Sequence, residues 1–315
     1  MPSLHSRCGW TALAVACLLL TNVALWGQEK PAEKPAEKKA PPPQDVPLTT
    51  KDNLELTATF FPGTKGKDTV PVILVHAYKG SRNDYKDLAK YLQSLGHAVI
   101  VPDLRGHGAS TRFKETTGPK SKSLEAATLA PDQFTRMVEY DMETVNGFLL
   151  AKNNAGELNI EKLCVVGAEL GAVVALDWAR LDWSWPTLGA VKQGQDVKAL
   201  VLISPEWAVK SLKIDAAMRH PEVSGRLSIL ILAGKQKRQA EDQAKRLNAA
   251  FERFHRKPEK PEDRDLFLGL MDTSLQGTKM LGVKGLNVER LIAEFIELRL
   301  VKQNFPWRMR GVGGS

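Results

Sequence analysis

Hydrophobic positions along the body of the chain fall into two alternating rhythms. Residues 54–60 alternate apolar and polar side chains and run into Pro62 and Gly63, the pattern of a half-buried strand ending in a turn. Residues 70–75 form an almost unbroken β-branched run, as a strand covered on both faces requires. Tyr85, Leu88, Ala89, Leu92 and Leu95 then recur at helical spacing over 83–95, with Gly96 as the stop, and a further strand is predicted over 98–101. The rhythm continues with a helix over 134–150, a strand over 163–166, a helix over 170–179 and buried strands over 199–203 and 229–232. A charged helix over 239–255, a strand near 266–270 and an amphipathic helix over 288–300 complete it. This alternation predicts an α/β architecture, a mostly parallel twisted sheet with helices on both faces, in a single domain over 46–315.

Upstream the pattern changes. Residues 1–27 carry His5 and Arg7, then an apolar run from Trp10 to Leu20, then small residues around Ala24 and Gly27, which is the layout of a secretory signal peptide. An uncleaved anchor is the alternative, because residues 10–26 are mostly apolar and near the shortest length that spans a bilayer. Cys17 precedes three leucines inside that run, which argues against lipidation. Residues 28–45 repeat PAEK and end in a proline run with no large apolar side chain to bury, so they predict a disordered tether and a fold beginning near Val46. The expected location is outside the cytoplasm: periplasmic, secreted or tethered to the cell envelope.

Composition narrows the picture. A hydrophobic content of 43% over 315 residues supplies a sizeable core and excludes disorder throughout. The net charge of +8, spread along the chain, does not point to nucleic acid. Residues 235–264, with ten Lys/Arg and six Asp/Glu, read as a solvated helix face, with contact to an anionic envelope surface as the alternative. Cys164 is alone in the body and lies in the apolar run LCVVG, so a disulfide within the body and a cysteine-based metal site are excluded. No metal-ligand spacing or phosphate-binding loop stands out, and no cofactor is expected.

In such a sheet ligands sit beyond the carboxyl ends of the strands. The segments found there are HAYKG (76–80), PDLRGHGAS (102–110) and GAELG (167–171). Taken in order they resemble the α/β-hydrolase family from about residue 46 to residue 300. HAYKG resembles its HGxxG oxyanion loop, DLRGHGAS the turn after the next strand, and GAELG the nucleophile elbow GxSxG. The resemblance implies oxyanion donors at the backbone N–H groups of Tyr78 and Leu170, with His76 in the same loop. Gly167 and Gly171 meet the elbow's need for residues without side chains. Where the family places Ser, or in some members Cys or Asp, this chain has Glu169. The slot of the family acid reads Lys237 and that of the family histidine Gln276, and no histidine follows His255.

Acyl transfer requires a nucleophile, a base, a group that orients the base, and oxyanion donors. Only the donors are recognisable. Glu169 is expected to fold its carboxylate onto the oxyanion amides and the helix N-terminus, filling the site and opposing negative charge developed there. The resemblance therefore implies a pseudo-hydrolase, a binding or scaffold protein for an unknown small molecule or protein, touching a membrane only through an uncleaved leader. The alternatives are an active carboxylic-ester hydrolase using Glu169 or another constellation, and a purely structural envelope protein. His76 and His107 read as turn and packing residues, and Asp103 and Arg105 as fixing their turn. Glu206 and Asp272 read as solvated loop carboxylates rather than displaced acids, and Trp178, Trp183 and Trp185 as packing rather than a sugar platform. Only about two dozen residues separate Ser204 from the strand near Ile229, too few for a large lid, so the expected pocket is shallow or open and lined by Trp207.

Overall fold

β1 (Gln44–Thr49) and β2 (Glu55–Phe61) lead into β3 (Pro71–Val75), α1 (Lys86–Ser94) and β4 (Ala98–Pro102). α2 (Pro131–Arg136) and α3 (Glu143–Asn154) follow, then β5 (Leu163–Ala168), α4 (Leu170–Ser184) and β6 (Val197–Ile203). A two-residue hairpin, β7 (Ala208–Val209) and β8 (Leu212–Lys213), and the short helices α5 (Asp215–Arg219) and α6 (Pro221–Gly225) lead to β9 (Ser228–Gly234). α7 (Arg238–Glu252), β10 (Leu266–Met271) and α8 (Val288–Ile296) complete the order. This computed structural model describes residues 40–114, 123–188, 192–255 and 258–311. The predicted leader and residues 28–39 of the predicted tether lie outside them.

The main sheet has eight strands in the order β1-β2-β4-β3-β5-β6-β9-β10. Neighbours from β4 to β10 are parallel, while β1 and β2 add antiparallel pairings at one side. All five residues of β3 are buried, as its unbroken apolar run predicts. Ile73 and Val75 join a core under α3, α4 and α7, whereas Val72 and Leu74 join a second core under α1 and α8. Alternate side chains of one strand thus serve both layers.

Helix α1 follows a 3-10 turn over Arg82–Tyr85 that carries a capping box: the Ser81 hydroxyl accepts from Asn83 N–H, and the Asp84 carboxylate accepts from Ser81 N–H. Leu88, Ala89 and Leu92 form its buried face, and Gly96 at φ +90° turns the chain out of it. The helix predicted over 134–150 is interrupted by a π-helical turn, Met137–Met142, which holds the fully buried Asp141.

The edge differs from expectation. β1 begins at Gln44, inside the predicted tether, and pairs antiparallel with β2. Its Pro47 is compatible with an edge strand, where a missing N–H costs no ladder bond to a further neighbour. At the other end of the chain, residues 302–311 run past the amino ends of β5 and β6. The side chains of Asn153, Asn154 and Asn159 donate to the carbonyls of Arg308, Arg310 and Phe305, and buried Arg310 pairs with Asp196 at 2.7 Å and Glu161 at 2.9 Å. Among the described residues no helix is long and apolar enough to cross a membrane.

Candidate functional site

The bend between β5 and α4 sets the site. Glu169 occupies it at φ +50°, ψ −110°, a conformation that costs a side-chain-bearing residue about 1–3 kcal/mol. Its flanks are crowded by backbone: a β-carbon on Gly167 would lie 2.2 Å from Gly171 O, and one on Gly171 would lie 2.1 Å from Val75 O. The two glycines read from the sequence are therefore required by close approach, and the elbow is intact in shape.

The direction of Glu169 is a correction. Its carboxylate makes no cap hydrogen bond with the helix N-terminus. It lies instead against Gly277, in the loop after β10, where an added β-carbon would sit 2.9 Å from Glu169 Oε1. Gly277, having no side chain, leaves the carboxylate room there. Among the described residues the N–H groups of Tyr78 and Leu170 have no protein acceptor.

The neighbouring slot is locked. Gln276 Nε2 donates to Gly234 O at 2.8 Å, and its Oε1 accepts from Gly234 N–H at 3.2 Å and from the Ser204 hydroxyl at 2.7 Å. Ser204, at φ +48°, accepts in turn from Gly277 N–H at 2.8 Å. One amide thus ties together the ends of β6, β9 and the loop after β10.

Glu169, Lys237 and Gln276, the three slots singled out by sequence, line one cavity of about 180 Å³. Ser204, Glu206, Gln239 and Gln243 share the lining. Glu206, read from the sequence as a solvated carboxylate, stands at this cavity, where partial burial and then the charge of Glu169 push its pKa up. Ser204, Gln239 and Gln243 were not singled out by sequence. Ser204 is the first residue past an apolar strand, a position that marks it; the two glutamines lie on the first turns of α7 and carry no comparable signal.

Trp207 does not line this cavity. It donates to Asp215 at 3.1 Å and stacks under the Arg246 guanidinium at 4.1 Å, so partners on α5 and α7 hold it away. Tyr78 stands apart too: its hydroxyl donates to Ala126 O, and Lys210 lies over its ring. Trp178 is fully buried and donates to Glu143, and Trp183 donates to Val197 O, both as packing predicts. Trp185 departs from that expectation, being 43% exposed just past the end of α4. Asp272 is an exposed partner of Lys235.

Beyond β4, Asp103 and Arg105 are both paired. The Asp103 carboxylate receives Arg82 N–H at 2.7 Å and Ala109 N–H at 2.9 Å and pairs with the Arg82 guanidinium. Fully buried Arg105 bonds Asp141 at 2.7 Å and Asp52 at 2.9 Å, which hold its pKa above the ordinary value. His76 is buried with both ring nitrogens engaged, Nδ1 with Ala77 O and Nε2 with Leu104 N–H, and burial pushes its pKa down to about 4. It is a neutral strut between two turns rather than a residue of the cavity. His107 engages Arg105 O with Nδ1.

A family model described as alpha/beta hydrolase fold matches residues 70–272. A non-heme chloroperoxidase of Burkholderia pyrrocinia is 32% identical over 68 residues, 22% of this chain and 23% of that protein. The sn-1-specific diacylglycerol lipase ABHD11 of Danio rerio is 29% identical over 133 residues, 42% of this chain and 33% of that one. The matches thus span between about a quarter and a third of these curated relatives. In three dimensions the Pyrococcus furiosus esterase Pf2001 aligns with TM-score 0.54 at 17% identity, covering 82% of this chain and 93% of that one. An Exiguobacterium antarcticum esterase aligns with TM-score 0.52 at 13% identity, covering 81% and 100%. At such identities the likeness is one of fold.

Proposed function

Because the chain belongs to the α/β-hydrolase family, we propose that it is a member that holds a ligand beside the elbow without cleaving it. The observation that carries this reading is Gln276. Where the family keeps an imidazole, this chain has an amide whose two polar atoms are committed to Gly234 and Ser204. An amide takes no proton near neutral pH, so it cannot serve as general base. Among the described residues no histidine lines the cavity. The lining of carboxylates, glutamines and one lysine suits a small polar ligand that donates hydrogen bonds to Glu169 and Glu206.

One observation favours turnover instead. Glu206 stands beside Glu169 with its pKa raised, which is the setting of a general base working with a carboxylate nucleophile. In that reading the Glu169 carboxylate attacks the ester carbonyl, the ester C–O bond breaks as protonated Glu206 gives its proton to the departing alcohol, and Glu206 then takes a proton from the water that cleaves the resulting anhydride to the free acid and Glu169. The full chain assayed with p-nitrophenyl acetate and butyrate, and with a fluorophosphonate probe, decides between them. We expect no hydrolysis above buffer and no labelling, and the same for Glu169→Ser, because no base stands ready. Hydrolysis that disappears in both Glu169→Ala and Glu206→Gln would replace the binding reading with the catalytic one.

The proposed location is outside the cytoplasm. It rests on the apolar run within residues 1–27 and the PAEK repeat that follows. Fractionation of cells expressing an epitope-labelled chain tests it.

A further inference from the structure

A recess lies at the end of the sheet opposite the elbow. A cavity of about 550 Å³ opens between α1 and α8, beside the turn that enters β4. Its volume is that of sites for small organic molecules. Three features of its walls point the same way.

His97 lines it with the residue only 3% exposed, yet Nδ1 has no hydrogen-bond partner. Burial, with the charge of Lys65 added, pushes its pKa down to about 4, so the ring is neutral at physiological pH and keeps one donor and one acceptor nitrogen. Its Nδ1 is shut off from solvent, so the ring contributes to the cavity as a neutral wall and not as a charge. Tyr91 and Leu95, two of the large apolar side chains left exposed at 37% and 39%, front the same cavity, with Leu298 in the wall beside them. Lys65 and Lys302 stand in its lining with no carboxylate within 4.0 Å among the described residues. Arg290 and Glu294 neutralise each other at 2.7 Å, which leaves Glu297 as the opposing charge and the lining net positive.

We propose that this cavity binds an anionic amphiphile, an alkyl or aryl body ending in one carboxylate. Lys65 and Lys302 meet the head group, the neutral His97 ring adds no opposing charge, and Tyr91 and Leu95 cover the body. Apolar surface exposed beside unpaired ammonium groups fits this class and disfavours a cationic amphiphile, whose head group would face two like charges. The site lies apart from the cavity at Glu169 and stands whether or not that cavity binds or hydrolyses anything.

Isothermal titration calorimetry of the full chain with decanoate and with decyltrimethylammonium, both below their micellar concentrations, tests the proposal. We expect saturable binding of decanoate, no binding of the ammonium compound, and weakening with added salt. The double variant Lys65→Glu/Lys302→Glu changes exposed residues and should retain the fold, which circular dichroism verifies. It should weaken decanoate binding by about tenfold or more. Leu95→Asp should weaken it comparably, and Glu169→Ala should leave it unchanged. Absence of saturable decanoate binding, equal binding of the ammonium compound, or decanoate binding that survives the double lysine variant would overturn the proposal. Loss of decanoate binding in Glu169→Ala would assign the ligand to the elbow cavity instead and overturn it equally.

Discussion

Two groups of charged side chains stand at the carboxyl end of the same sheet and are treated in opposite ways. After β4, Asp103, Arg105, Asp52 and Asp141 close on one another and on backbone N–H groups, with Arg105, Asp103 and Asp141 fully buried. After β5, β6 and β9, Glu169, Glu206 and Lys237 line a cavity with no ion pair within 4 Å among the described residues. The first cluster is complete when the chain folds. The second is not, and the fully engaged side chain beside it is the neutral amide of Gln276. The elbow keeps its shape, and among the described residues no histidine lines the cavity beside it.

The comparison breaks most easily at Arg105. Replacing it with Met leaves Asp141 buried without its partner, and we expect a loss of about 3–5 kcal/mol in urea unfolding. A loss below about 1 kcal/mol would show that the matched cluster is not structural. Acid tests the same region through His76. Its pKa is about 4 when folded against 6.5 for a free ring, so the unfolded chain binds more protons between those values. Stability from this group is full above about pH 6.5 and declines as pH falls toward 4, by about 2 kcal/mol at pH 5. His97 adds a loss of the same sign over the same window. Unfolding midpoints at pH 7 and pH 5 should differ accordingly; equal midpoints would contradict the burial of neutral imidazoles.

Gln276→Ala sharpens the contrast on the other side. It removes the bonds to Gly234 and Ser204 and should cost about 1–3 kcal/mol, as groups buried at the strand ends lose their partners. The smallest effect has the opposite sign. Glu169→Gly relieves a side chain held at φ +50° and should raise stability by up to about 1 kcal/mol in the same assay. A destabilised Glu169→Gly would mean that the carboxylate holds the fold together, and the two clusters would no longer differ in kind.

Much of this was legible in residues alone, for reasons that also mark where legibility stops. The buried runs of β3, β5, β6 and β9 announce strands because both faces of a parallel sheet are covered. β1 escapes the same reading: an edge strand buries little, alternates exposed and half-buried residues, and carries Pro47. The break between α2 and α3 is equally silent, since a π-helical turn keeps apolar spacing while shifting it by one residue. At the site, GAELG, Lys237 and Gln276 identified the slots, because glycines at a sharp bend and residues at strand ends hold position in sequence. The direction of Glu169 was not legible. It depends on the absence of a side chain at Gly277, more than a hundred residues away, and on backbone angles that no spacing rule supplies. Trp207 misled because an aromatic residue beside a site suggests a wall, whereas its actual neighbours, Arg246 and Asp215, come from other elements.

Cys164 lies in β5, five residues before the elbow, with its side chain fully buried and its thiol pKa pushed up by that burial. With Cys8 and Cys17 replaced, it is the chain's sole thiol. An alkylating reagent then reacts only with molecules whose central strand has come apart, and the rate of labelling under native conditions becomes a clock for opening at the heart of the sheet.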